Sequence, residues 1–326
     1  MRHFINILTG LTLCTFAQAL STDFTKEYPL GSEIENLVLR PSGSIITTIG
    51  NSPHLYEVDA VKNASPKLIH TFDDTAGASG ISASSEHDKY FVITGNFSFQ
   101  TFTPTPGSYA IHQLSYLECG TPVVKRIASL APISQPNGMV TVPNSPNVLI
   151  ADCRGGFIYR FNTKTRKLDT YFDHPLLKPK TDDQIIFGVN GVKFSRGYLY
   201  FSNTDQMIVA RIKATGMEQR LTGNPEIVAS MAAVDDFTVD DRTGDLYLAE
   251  QGTVNGIGFV ARKAYGAQPK TIVGGPTNKD FLGPTAAIWA KGAVGKKLVV
   301  SLTGGFEQFF TKNYTGGYKV AIVNLD

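Results

Sequence analysis

The amino-acid sequence predicts an all-β fold, a single six-bladed β-propeller that extends from residue 20 to residue 326. Three observations predict this fold. An apolar run that follows a turn recurs six times along the chain, and three further strand patterns accompany it in each complete unit. No long segment shows the 3.6-residue period of an amphipathic helix. Four antiparallel strands in about 50 residues, repeated six times, are typical of a β-propeller.

The apolar runs are the second strands of the predicted blades. Runs such as "VLIA" and "LYF" are apolar throughout rather than alternating, which indicates strands that are buried on both faces between neighbouring blades. The runs begin at Ile45, Tyr90, Val148, Leu199, Leu246 and Leu298, so that successive starts are 45 to 58 residues apart.

The sixth unit has three strand patterns before Asp326, one fewer than the others. The segment "TDFTKEYPL", residues 22–30, contains a further strand pattern. We expect this N-terminal strand to complete the last blade, because a closed ring leaves no unpaired strand edge between the first and last blades.

Residues 1–19 have the features of a secretory signal peptide. A basic start at Arg2 and His3 precedes an apolar centre, and the small-x-small cleavage pattern "AQA" ends at Ala19. We expect cleavage after Ala19 and secretion, or residence in the secretory-pathway lumen; a buried N-terminal strand is the alternative. No other run approaches the roughly 20 apolar residues that a membrane-spanning helix needs.

Two features fit an oxidising compartment. The chain after residue 19 contains two cysteines, Cys119 and Cys153, for which we expect a disulfide; two separate thiols are the alternative. Glycosylation sequons begin at Asn63, Asn96 and Asn313.

The composition excludes some classes of partner. The formal net charge is +2 with 18% charged residues, so there is no electrostatic case for binding nucleic acid or an acidic protein. Hydrophobic residues make up 42% of the chain, which is ample for a large core.

Polar residues recur at the start of the predicted inner strands. The first strand of a propeller blade lies innermost, so these residues meet at one mouth of the central channel. Turn chemistry explains an isolated Asn-Gly pair, since Asn tolerates positive φ, but it does not explain a Glu. The six positions hold Glu35, Ser79 or Gly80, Asn137, Asn190, Asp235, and Pro284 or Thr285.

Two chemistries suit two carboxylates and two carboxamides at one channel mouth. Their oxygen atoms are ligands that a hard divalent cation such as Ca²⁺ or Mg²⁺ prefers, and such a cation polarises a bound carbonyl group. The same four side chains can instead bind a small organic substrate by hydrogen bonds, without a metal.

The sequence resembles a known family at these positions. Glu35 in "IENLVLRPSG", Asn137 in "PNG", Asn190 in "VNG" and Asp235 in "VDDF" are similar to the metal-binding quartet of the senescence-marker-protein/gluconolactonase family of six-bladed propellers. The stretches "GNFSF", "TPGSYAIHQL", "HPLLKP", "GVNGVKF" and "YLYFSNT" resemble a fungal secreted branch of that family. Some members of that branch are hetero-Diels–Alderases, which join a tropolone-type o-quinone methide to the terpene humulene.

The sequence also departs from the metal-dependent lactonases of the family. Their Glu is followed by Gly or Ser, then Pro-x-Trp, whereas Glu35 is followed by "NLVL"; their Asp is followed by Gly, whereas Asp235 is followed by Asp236. The resemblance to the fungal branch therefore implies a cofactor-free cyclase that acts on small apolar organic substrates, with Glu35, Asn137, Asn190 and Asp235 as catalytic residues.

Two alternatives stay open. One is a lactonase in which the quartet binds Ca²⁺, Mg²⁺, Zn²⁺ or Mn²⁺, and a metal-bound water attacks the lactone. The other is a secreted interaction propeller without chemistry.

Five further residues are candidates for substrate binding. Aromatic residues near the loops between strands, Tyr109, Phe187 and Phe306, suit an apolar cup for a hydrocarbon, although such residues also anchor loops and blades. Asp236 and Thr285 complete the set because they lie at the start of predicted inner strands.

Overall fold

The computed structural model describes residues 20–180, 186–290 and 296–325, so the predicted signal peptide lies outside the described residues. It confirms a six-bladed β-propeller with four antiparallel strands in each blade. No helix of the described chain is long and apolar enough to cross a membrane.

The strands follow the predicted order from the channel outwards. The N-terminal strand is β1 (Thr22–Phe24). Blade one contains β2 (Ile34–Leu39), β3 (Ser44–Ile49), β4 (His54–Asp59) and β5 (Lys67–Thr71). Blade two contains β6 (Gly77–Ala83), β7 (Lys89–Gly95), the inserted hairpin β8 (Phe97–Ser98) and β9 (Thr103–Pro104), then β10 (Ala110–Tyr116) and β11 (Pro122–Ser129). Blade three contains β12 (Pro136–Thr141), β13 (Asn147–Asp152), β14 (Phe157–Asn162) and β15 (Leu168–Phe172).

The second half of the ring repeats this order. Blade four contains β16 (Val189–Ser195), β17 (Tyr198–Asn203), β18 (Ile208–Thr215) and β19 (Arg220–Ser230). Blade five contains β20 (Val234–Val239), β21 (Leu246–Glu250), β22 (Gly256–Val260) and β23 (Lys270–Gly274). Blade six contains β24 (Pro284–Trp289), β25 (Lys297–Thr303) and β26 (Tyr318–Asn324). Two 3₁₀ turns, Pro175–Leu177 and Arg262–Ala264, and the short helix α1 (Glu307–Thr311) lie in connections.

The second strands are almost completely buried. The apolar runs of β3, β13 and β17 pack between blades, and Tyr200 and Phe201 are both 0% exposed. This confirms the prediction that the continuous apolar runs are strands buried on both faces.

Every inner strand carries the same irregularity near its start. In blade four, Val189 pairs with Asn203 and Val192 pairs with Phe201, so the inner strand has one extra residue. The same bulge follows Ile34, Ala78, Pro136, Val234 and Pro284. A bulge bends the strand and redirects its side chains, and in blades one to five it places one residue of the inner strand at the channel mouth.

Close packing of the inner strands explains the Asn-Gly pairs. A Cβ atom on Gly138 would lie 2.2 Å from the backbone oxygen of Asn190, and one on Gly80 would lie 2.1 Å from the backbone oxygen of Asn137. No side chain fits at that distance. The pairs lie inside β12 and β16 rather than in turns.

Strand β1 closes the ring, as predicted. Thr22, Asp23 and Phe24 pair antiparallel with β26, and the Thr25 N–H donates to the Val320 carbonyl at 3.0 Å. Phe24 packs against the core of blades five and six, where Lys319 Nζ lies 4.2 Å from the centre of its ring.

The structure contradicts the predicted disulfide. Cys119 and Cys153 are both free. Cys119 is exposed in the turn between β10 and β11 at the outer side of blade two, whereas Cys153 follows β13 and is 0% exposed. The two cysteines therefore lie in different parts of neighbouring blades, one at the surface and one in the interior. The spacing of the cysteines in the sequence did not reveal this difference.

The three sequons differ in accessibility. Asn63 and Asn313 are exposed. Asn96 is half-buried, and its side-chain oxygen accepts a 2.7 Å hydrogen bond from the Ala76 N–H.

Removing β1 tests the closure of the ring. A chain that begins at Thr25 should be less stable by about 3 kcal/mol than one that begins at Ser21, because it loses several backbone hydrogen bonds of about 1 kcal/mol each and the packing of Phe24. Chemical denaturation of the two chains measures the difference. Equal midpoints for both chains would show that β1 does not close the ring.

Thiol alkylation tests the placement of the two cysteines. Cys119 should react in the folded protein, because it is exposed and its hydrogen bond with Thr121 lowers the pKa of its thiol. Cys153 should react only after denaturation, because burial raises the pKa of its thiol. Peptide mapping by mass spectrometry without reduction measures both; recovery of a Cys119–Cys153 peptide would restore the disulfide.

Candidate active site

A cavity of about 230 Å³ lies at the end of the channel where the inner strands begin. Its floor consists of polar side chains that the strand bulges place there, together with Gln135 and Gln251. The residues from the inner strands are Glu35, Ser79, Asn137, Asn190 and Asp235. The structure therefore brings all four predicted catalytic residues to one site.

Apolar side chains form the walls of the cavity. Phe97 and Phe99 come from the hairpin inserted in blade two, and their rings meet edge to face with centroids 5.0 Å apart. Phe187 and Phe306 lie against the same cavity, and Phe187 is 6.3 Å from Phe97 between ring centroids. Aromatic walls above a polar floor suit a mainly apolar ligand with one polar end.

The hairpin is part of a larger aromatic cluster. Phe102 stacks on Phe310 of helix α1 with a centroid separation of 4.6 Å, and its ring also lies 6.2 Å from that of Phe187. Phe99 lies 5.8 Å from Phe309 of the same helix. Blade two is thus connected over the cavity to the loop before β16 and to blade six.

In the half of the floor on blades four and five, the polar side chains are hydrogen-bonded to one another. Asn190 Nδ2 donates to Asp235 Oδ1 at 2.7 Å and to Thr204 Oγ1 at 3.2 Å. Gln251 Nε2 donates to Asp235 Oδ2. Burial raises the pKa of Asp235 well above its usual range, the nearby Glu35 raises it further, and the Asn190 hydrogen bond opposes both.

The half of the floor on blades one and three is open to a ligand. Glu35 and Asn137 lie side by side in the cavity. Burial raises the pKa of Glu35, and the neighbouring side chains of Glu33 and Asn137 oppose this by lowering it. A carboxyl and a carboxamide group that lie side by side in a cavity can both contact one oxygen atom of a ligand.

Sequence reasoning missed Glu33, which lies directly behind this pair. Its side chain is 0% exposed, and neither carboxyl oxygen is in hydrogen-bonding geometry with a donor of the described chain. Burial and the charge of Glu35 raise the pKa of Glu33 well above its usual range, which favours the protonated form of this carboxyl group. Residues two apart in an extended chain face the same side, and the sequence "EIE" contained that signal.

Asp236 and Thr285 are not brought into the cavity. Lys193 Nζ contacts Asp236 at 2.7 and 2.5 Å, and Asn36 Nδ2 donates to the same carboxylate at 3.1 Å. Thr285 is 0% exposed and donates to the Ile34 carbonyl at 2.6 Å. The two departures from the lactonase pattern, Asn36 and Asp236, thus bind each other and fill the channel beside the floor.

The other predicted binding residues do line the cavity. Phe187, Phe306 and Tyr109 all lie against it. The Tyr109 ring covers Gly95, where a Cβ atom would lie 2.0 Å from the ring. Sequence reasoning missed Gln251, Met207 and Met231, because each lies in a connection between strands, where no repeated pattern marks a position as part of the site.

Comparison with known proteins shows the fold. No protein-family model and no curated protein matches this sequence. Solved structures do match. Regucalcin from Agrobacterium tumefaciens, described as a calcium-binding protein, has 16% identity and a TM-score of 0.63, with 94% of this chain and 95% of that chain covered.

Two other structures are similar to a comparable degree. A putative gluconolactonase has 12% identity and a TM-score of 0.56, with coverage of 94% and 92%. The aldose sugar dehydrogenase of Streptomyces coelicolor has 13% identity and a TM-score of 0.60, with coverage of 94% and 98%. At these identities the similarity establishes the propeller fold of the chain.

The buried acid Glu33 gives a pH-dependent stability. Its raised folded-state pKa contributes stability that is complete below the unfolded pKa of about 4.5 and is lost as the pH rises. Glu33→Gln should therefore gain at least about 1 kcal/mol relative to wild type between pH 4 and pH 8. The exposed Glu118→Gln is the control, and denaturation midpoints at both pH values measure the effect. A Glu33→Gln variant with the same stability difference at both pH values would contradict the assignment.

Proposed function

We propose that the protein is an enzyme of the senescence-marker-protein/gluconolactonase-like propellers, which catalyses a hetero-Diels–Alder cycloaddition in this cavity. The substrates proposed are a tropolone-type o-quinone methide, as the heterodiene, and a humulene-like terpene alkene. The observation that supports the proposal is the cavity itself, which has aromatic and thioether walls and a polar floor on which Glu35 and Asn137 can both contact one oxygen atom of a ligand.

The reaction needs little from the protein besides position and polarity. One carbon–carbon and one carbon–oxygen bond form, three π bonds become one, and no atom, proton or electron enters or leaves. Holding both partners in register removes an entropic barrier of up to several kcal/mol. Hydrogen-bond donors at the heterodiene oxygen stabilise the negative charge that develops there.

Each polar residue then has a role. The Asn137 amide and Glu35 in its protonated form donate to the heterodiene oxygen, and burial favours that form. Glu33 keeps a proton next to Glu35. Asn190 and Gln251 hold Asp235 in place, so these three act as positioning residues.

Metal-dependent lactone hydrolysis is the second candidate, and the donor types favour it. Two carboxyl and two carboxamide groups supply the oxygen atoms that Ca²⁺ prefers. Both Asp235 oxygens accept amide hydrogens, so a cation bound here would share this carboxylate with Asn190 and Gln251.

We also propose that the protein enters the secretory pathway. Support comes from the signal-peptide pattern in residues 1–19 and from the exposed sequons at Asn63 and Asn313. A shift in mass after treatment of the secreted protein with an N-glycosidase would test it.

Two substitutions in the open half of the floor test the proposed reaction. Asn137→Ala should lower kcat for the cycloaddition about 100-fold, since one donor to the developing charge is lost. Glu35→Gln should keep most of the activity, because a carboxamide still donates a hydrogen bond.

The same substitutions and a chelator distinguish the second candidate. A cycloaddition should be insensitive to chelator, whereas a metal lactonase would lose activity with chelator and with Glu35→Gln alike. Chelator-sensitive lactone hydrolysis without any acceleration of the cycloaddition would overturn the proposal. Absence of both reactions would favour an interaction propeller.

A further inference from the structure

Two methionines occupy the side of the cavity opposite the phenylalanine hairpin. Met207 lies in the turn between β17 and β18, and Met231 lies between β19 and β20. Their loops are joined by a 3.2 Å hydrogen bond from the Ala232 N–H to the Met207 carbonyl. Both side chains line the cavity.

Packing does not explain these two side chains. Met207 is 44% exposed and Met231 is 66% exposed. Neither belongs to a buried cluster of the described chain. Both have positive φ angles, 55° and 58°, a conformation that residues with a side chain rarely adopt. Large apolar side chains at strained, exposed positions beside a cavity point to contact with a ligand.

The polar side chains of the floor beneath the methionines are already hydrogen-bonded to other groups of the protein. Asn190 and Asp235 belong to the same two blades as the methionine loops, and their hydrogen bonds are used within the protein. The open pair, Glu35 and Asn137, lies on blades one and three. The cavity thus has a polar end for an oxygen atom and a separate end that suits a partner without polar groups.

We propose that Met207 and Met231 form the subsite for the alkene partner and determine which alkenes the enzyme accepts; this rests on the proposed cycloaddition. Thioether side chains are flexible and polarisable, so they adapt to the irregular surface of a hydrocarbon ring. The rigid aromatic wall across the cavity holds the planar heterodiene.

The test is the double variant Met207→Gln, Met231→Gln. Glutamine has a similar length and already occurs at positive φ in this chain, at Gln219. The KM for humulene should rise about tenfold, a typical cost for mismatching an apolar contact in a pocket, while the KM for the quinone methide stays within about twofold. The double Leu variant, which keeps an apolar surface, should restore the KM for humulene.

The matched control is Met217→Gln. Met217 is 86% exposed in the turn between β18 and β19, outside the cavity lining, so its substitution should leave both KM values unchanged. The affinity for humulene can be measured independently of catalysis, by the partition of labelled humulene to the protein in the absence of the quinone methide.

The outcomes separate the two proposals. Binding of humulene that the double Gln variant weakens, without any cycloaddition, would support the methionine subsite and overturn the proposed reaction. Wild-type affinity for humulene in the double Gln variant, or an equal rise of both KM values, would overturn the methionine subsite. Failure of the wild type to bind humulene would overturn both.

Discussion

The close approach of the six inner strands at their bulges is the constraint on which the rest of the molecule depends. At Gly80 and Gly138 the neighbouring strand comes so near that no side chain fits, and the residue before each glycine turns to the channel mouth. A strand bulge repeated in every blade therefore converts a repeating fold into a ring of side chains around one small volume. The chemistry of the site is then decided by which residue each blade supplies.

The two halves of this ring differ in how their hydrogen bonds are used. One half, Asp235 with its amide partners, has used its hydrogen bonds internally and is fixed in place. The other half, Glu35 with Asn137, faces the cavity. Burial raises the pKa of Glu35 and of Asp235, which favours their neutral forms over a concentration of negative charge in the floor. In the proposed reaction, this floor would polarise an oxygen atom of a substrate held between apolar walls.

Much of the fold could be predicted because it depends on repetition in the sequence. Apolar runs about 50 residues apart and a strand pattern at residues 22–30 were enough to predict six blades and their closure by β1. The four catalytic candidates followed from the same repeat, since equivalent positions in equivalent blades must converge. The role of the glycine in the Asn-Gly pairs could not be predicted in this way. Only the structure shows that the backbone of a neighbouring strand, and not a turn, requires a glycine there.

The remaining features depend on contacts that no repeat encodes. The distance between Cys119 and Cys153 depends on the depth of a blade, and the disulfide prediction was wrong for that reason. Asp236 lies next to a predicted catalytic residue, yet Lys193 and Asn36 bind it away from the cavity. Gln251, Met207 and Met231 come from connections whose paths are set by tertiary packing rather than by local pattern.

The proposed reaction depends on polarisation of an oxygen atom of the bound substrate by Asn137 and Glu35. Infrared difference spectroscopy of tropolone, isotopically labelled at its carbonyl group, measures this directly in the complex. We expect the carbonyl stretch to move to lower frequency on binding to the wild type, and to return most of the way to its value in an apolar solvent in Asn137→Ala. A bound tropolone whose carbonyl stretch is not lowered, or is lowered equally in Asn137→Ala, would contradict the account.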